Sequence, residues 1–181
     1  MPEDYDPEAD LETPEMWDAM FRELPFTNDW AEDLLLVARS QLGYHESLAN
    51  YQLDEEENRS GYTRYGAWYG DPYGEWQAMF VAFCTHYAGI RDVSVADDCG
   101  QWVKELSQRG MLYAPEGFDV VKGDLVFFDL DADGSADHMG IVESTGGELR
   151  VIEGGVDGAV LQNSYSMGDA RILGYGHPER P

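Results

Sequence analysis

The sequence predicts an α+β fold, and three observations carry that prediction. Up to Gly110, apolar residues recur at helical spacing. After Pro115 the period changes to short apolar runs separated by Gly- and Asp-rich turns. Helical stretches come first and strands second, with no regular alternation of the two, so the strands are expected to pair antiparallel under packed N-terminal helices. No internal repeat and no low-complexity tract is visible.

The elements follow in order. Residues 1–28 read as an acidic arm carrying a short amphipathic helix, Pro14 to Leu24. Met16, Trp17, Met20, Phe21 and Leu24 fall on one face of it, and Pro14 sits near its start. That face either docks on its own domain, links to a neighbour or binds a protein partner. Residues 29–181 read as one domain. Asp29 and Glu32 make a capping-box pattern, Leu34, Leu35, Val37, Ala38 and Leu42 supply the apolar side, and Gly43 closes the helix. Residues 44–74 read as a long loop, dense in Tyr, Gly and Asn, of a kind that carries function. A broadly apolar helix is expected from Trp76 to Ala88, and another from Asp97 or Asp98 to Gly110. Strands are expected over Asp124–Asp129, His138–Glu143, Glu148–Glu153, Ala159–Gln162 and Ile172–Tyr175.

Charge excludes several functions. The chain carries a formal net charge of −25 over 181 residues, with Lys104 and Lys122 its only lysines. Nucleic-acid binding needs clustered Lys and Arg, and no such cluster exists. An anionic membrane surface is disfavoured on the same ground, and no run approaches the roughly 20 apolar residues of a membrane span. The opening Met1-Pro-Glu-Asp-Tyr-Asp6 is acidic where a secretory leader is basic. The chain is therefore expected either to stay inside the cell or to be a fragment of a larger exported protein. Cys84 and Cys99 permit at most one disulfide, and spacing does not say whether they meet.

Four segments recur in a telling order: Trp76-x-Ala-Met-Phe-Val81 at a helix start, Gly123-Asp-Leu-Val-Phe-Phe128, Asp137-His-x-Gly-Ile-Val142 and Ile152-Glu-Gly154. This set resembles the CHAP family, the cysteine-histidine-dependent amidohydrolase/peptidase domains of bacterial cell-wall hydrolases, relatives of NlpC/P60 proteins with a papain-like fold. The resemblance covers about residues 29 to 177. It implies an extracellular or wall-associated amidase or endopeptidase, no required cofactor, and peptidoglycan stem peptides or cross-bridges as partners. It also implies His138 as acid/base and Glu153 as the residue that orients it, on the logic of a catalytic triad. A helix N-terminus suits the family's cysteine because the helix dipole and free N–H groups favour the thiolate.

The position of that cysteine is Gln77, a neutral carboxamide, so the chain is expected to be catalytically inactive as written. Cys84 lies seven residues on, about 10 Å along the helix axis, beyond reach of the same histidine. Gly155 stands where many relatives have Asn, which implies one polar support fewer. Two alternatives stay open: a structural or interaction module on this scaffold, or a hydrolase altered at residue 77. Tyr69, Tyr73 and Trp76 are candidates to line a substrate cleft, with packing around the helix start the alternative. Finally, Asp129, Asp131, Asp133 and Asp137 surround Gly134 in a pattern that echoes the front of an EF-hand loop without its distal Glu. Such hard oxygen ligands point to a structural calcium ion, or else to a plain acidic turn.

Overall fold

The computed structural model describes residues 4–91 and 93–178. The chain is α+β as expected. Helices α1 (Pro14–Arg22) and α2 (Trp30–Ser40) precede a hairpin of β1 (Tyr51–Leu53) and β2 (Arg59–Gly61). Helices α3 (Arg64–Tyr69), α4 (Gln77–Tyr87) and α5 (Cys99–Gln108) follow. Strands β3 (Leu112–Tyr113), β4 (Leu125–Phe128), β5 (His138–Ser144), β6 (Leu149–Val156), β7 (Ala159–Tyr165) and β8 (Ile172–Gly176) complete the chain. These last six form one antiparallel sheet in the order β3-β8-β4-β5-β6-β7, with the final strand inserted between β3 and β4.

Local chemistry sets the helix ends. The Asp29 side chain accepts from the amides of Ala31 and Glu32 at the start of α2, and Asp98 accepts from Gln101 at the start of α5. Helix α4 is apolar on all sides and every residue from Ala78 to Thr85 is buried, which makes it the central element. Leu125, Phe127, Met139, Ile141 and Ile152 pack towards the helices, while Val126, Phe128, Val142 and Val151 join a second cluster on the opposite face of the sheet. Alternation along each strand produces this division.

Three expectations are corrected. Residues 44–74 are not a plain loop, since they hold β1, β2 and α3. Strands of three residues and a helix of six are too short to show a period, and Gly66 and Gly70 lie within or just beyond α3. Strand β7 runs three residues past Gln162, and α2 ends at Ser40 rather than at Gly43. Cys84 and Cys99 are both free and buried.

The apolar face of α1 docks on its own chain. Trp17 and Phe21 are buried, and both rings meet Phe83 of α4 edge-on. The segment before α1 is tied down as well: Glu12 pairs with Arg64 at 2.5 Å and accepts from the Trp17 indole at 2.6 Å. Trp17→Ala should therefore lower the stability measured by urea unfolding by about 3–5 kcal/mol. Met16→Ala, half-exposed on the same helix, should stay within about 0.5 kcal/mol. Equal effects from the two would contradict the docking of this helix.

Candidate active-site cleft

The first turn of α4 and the start of β5 meet at a cleft of about 300 Å³. Its walls include Gln77 and Trp76 from the helix start, His138 from β5, Gly155 from β6, Tyr73, Gly74 and Glu75 from the preceding loop, Glu46, and Arg59, Ser60 and Gly61 from β2. Four of the residues singled out in the sequence (Tyr73, Trp76, Gln77 and His138) thus share one cavity with Gly155. Tyr69 does not belong to it; it closes α3 with its phenol beside Asp97.

Behind the cleft wall lies a chain of hydrogen bonds. His138 Nε2 is 2.8 Å from Glu153 Oε1, and Glu153 is fully buried. Burial of a carboxylate is costly unless donors replace its water. Here Asn163 Nδ2 donates to Oε2 at 2.9 Å, and the Tyr165 hydroxyl reaches both oxygens at 2.9 and 3.0 Å. Burial, and then the Glu153 carboxylate, push the Tyr165 phenol well above its ordinary range, so it stays a donor. With Nε2 held by Glu153, the other ring nitrogen, Nδ1, is left for the cleft.

Strand geometry explains why these residues meet. Residues 138, 140 and 142 share a face of β5, and Val151 and Glu153 share a face of β6. Asn163 is the register partner of Val151, so Asn163 and Tyr165 emerge on the face that carries Glu153. A side chain at Gly140 would lie 2.7 Å from Glu153 Cγ, and one at Gly154 would lie 2.6 Å from Phe80 Cβ. Glycine at these two points lets Glu153 sit beside β5 and lets β6 press on α4.

Gln77 is the first residue of α4, and its side-chain nitrogen lies 3.4 Å from both Glu75 Oε2 and the Asp137 carbonyl. Gly155 lies against this residue. A Cβ there would be 3.5 Å from the Gln77 amide nitrogen and 3.6 Å from its Oε1. Gly155 and His138 line the same cleft, with the backbone of Gly155 next to the first residue of α4. Asn163 and Tyr165 hold Glu153 from β7, and the sequence reading missed both by ending that strand at Gln162. Glu46 and Arg59 were missed too, because they come from the segment read as loop.

Neither cysteine supplies a thiolate. Cys84 is sealed in the core, and burial holds its thiol well above the usual range. Burial, reinforced by the carboxylates of Asp98, Asp137 and Glu75, pushes Cys99 up to about 12. A thiol in either state is a poor nucleophile near neutrality.

The acidic turn before β5 brings carboxylate oxygens of Asp129, Asp131 and Asp137 within 4.8 Å of one another. Asp133 stands outside this group and accepts from the Ser135 amide at 2.7 Å. The turn closes on itself: Asp129 accepts from the amides of Asp133 and Gly134, and Asp137 accepts from those of Leu130 and Asp131. These bonds fix the position of Asp137, the residue before His138.

No family model matches the sequence, and no curated protein matches it. Among solved structures, an NlpC/P60 family protein from Bacillus cereus aligns with a TM-score of 0.49 and 16% identity, over 87% of this chain and 42% of that one. The present chain thus spans less than half the length of that protein.

Because Glu153 depends on donors from β7, Tyr165→Phe should cost about 1.5–3 kcal/mol in urea unfolding, the range for a hydrogen bond to a charged group. A cost below about 0.5 kcal/mol would show that Glu153 does not need this donor.

Proposed function

We propose that this chain is a catalytically silent domain of the papain-like, CHAP or NlpC/P60 type, and that its cleft binds peptidoglycan peptides without cutting them. One observation carries the reading. Gln77 occupies the first turn of the buried helix at the cleft, opposite a histidine that is still backed by a buried glutamate. In a cysteine hydrolase of this layout, the residue at the helix start attacks the carbonyl and the histidine takes up and returns the proton. A carboxamide offers no such nucleophile, and losing one costs about a millionfold in rate.

What the remaining groups do is bind. The imidazole keeps one nitrogen for a ligand's polar group, and the network around Glu153 fixes its orientation. Tyr73 and the edge of Trp76 add aromatic surface, with Tyr73 pinned to Asn50 at 2.8 Å and the Trp76 indole donating to Glu46 at 3.3 Å. A wall peptide is a ligand of the right kind, because it presents amides and carboxylates along an extended backbone. The setting of such a domain is the cell wall.

Three experiments test this reading. In a turbidity assay on bacterial walls the protein should give no clearing, while calorimetry should detect binding of soluble muropeptides that weakens in His138→Ala. Clearing that persists in a Cys84→Ala, Cys99→Ala variant would overturn the silent assignment. Gln77→Cys should create a thiol that iodoacetamide alkylates below pH 7, faster than Cys84, because the helix start and the imidazole lower its pKa. His138→Ala in that background should slow the alkylation. A thiol that titrates near the free value of about 8.5 and ignores His138 would mean that residue 77 does not address the histidine.

A further inference from the structure

From the cleft's charge pattern we infer that Arg59 is its carboxylate-binding group, and that Asp4 of the N-terminal segment holds it in reserve. The inference rests on the peptide-binding reading above and names the ligand chemistry within it.

Among the described residues lining the cleft, Glu46 and Glu75 are acidic, and Arg59 carries the one permanent positive charge. In a chain of net charge −25, the long-range field repels any anionic ligand. A carboxylate enters such a cleft only if a fixed cation meets it there. Arg59 is suited to that task, because its planar guanidinium can grip both oxygens of a carboxylate.

The surroundings of Arg59 hold it in place without satisfying it. Its guanidinium carbon lies 3.7 Å from the centroid of the Tyr51 ring, which orients the fork but supplies no acceptor. Its charged partner is Asp4, with Oδ2 3.5 Å from Nη1, a long and exposed pair that is weakly held. The segment bearing Asp4 is fastened independently. Tyr5 meets the Tyr51 ring edge-on at 5.3 Å, the Asp6 amide donates to the Ala49 carbonyl, and Asp10 accepts from Ser47 at 2.6 Å. Asp4 is therefore held near Arg59 as an internal carboxylate that a ligand's carboxylate displaces. Exchange of one exposed carboxylate for another leaves the folded chain undisturbed, since neither Arg59 nor Asp4 supports the core.

The test compares a wall stem peptide having free carboxylates with the same peptide fully amidated, by calorimetry at fixed ionic strength. The general field favours the amidated, more cationic form. The parent is nevertheless expected to bind the free acid tighter by at least about tenfold, the worth of one charged hydrogen bond. Arg59→Gln should abolish that preference, so that the amide binds as tightly as the acid or tighter. Asp4→Asn should raise affinity for the acid about two- to fivefold, the range of an exposed ion pair, and leave the amide unchanged. Equal binding of acid and amide by the parent, or a preference that survives in Arg59→Gln, would overturn the assignment of Arg59 alone. Failure of every variant to bind either peptide would overturn it together with the peptide-binding reading.

Discussion

The burial of α4 is the constraint on which the rest of the structure depends. A helix apolar on every side has one stable place, between the other helices and the sheet, and there its eight residues from Ala78 to Thr85 lose all or nearly all contact with water. Once it is fixed, its first turn is fixed too, pressed against β6 at Gly154 and opposite the start of β5. Residue 77 and His138 face a common cleft because packing leaves the helix start nowhere else to go. The identity of residue 77 is free of that constraint. The core does not register whether a thiol or a carboxamide stands at the mouth of the cleft, so the packing is independent of the chemistry there.

The polar network around Glu153 is the second organising feature. A buried carboxylate without donors would destabilise the fold by several kcal/mol, so Asn163, Tyr165 and His138 are partners the structure requires in their own right. That requirement gives His138 a structural role that does not depend on residue 77. It also separates the two halves of the site physically. The relay lies on the face of the sheet turned towards the smaller apolar cluster, whereas Gln77 belongs to the helical layer. Change in one half need not disturb the other.

Much of this was legible in the sequence, and the failures have causes. The helix starts at Asp29 and Asp98 showed because capping carboxylates are local signals, and the core strands showed because Leu125–Phe128 and His138–Val142 are continuously apolar after their first residue. The pairing of His138 with Glu153 was readable only through the resemblance, since no spacing rule joins residues on neighbouring strands. Asn163 and Tyr165 were lost because the polar run Gln162-Asn-Ser164 looks like a turn, and the alternation of these residues shows only in their burial. The hairpin that supplies Arg59 was lost because it is too short to show a period. Its own Tyr51 anchors it, packed edge-on against Tyr5 of the N-terminal segment and under the Arg59 guanidinium.

The proposed function requires a cleft that binds a wall peptide and leaves it whole. Its most direct test is a single sample of the parent protein with a soluble muropeptide, followed over days by NMR of the histidine rings and of the peptide itself. A silent peptide-binding cleft should give a saturable shift of the His138 resonances, little change at His86 and His177, and a peptide that remains intact throughout. Cleavage of the peptide, or saturation that leaves His138 unmoved, would contradict it.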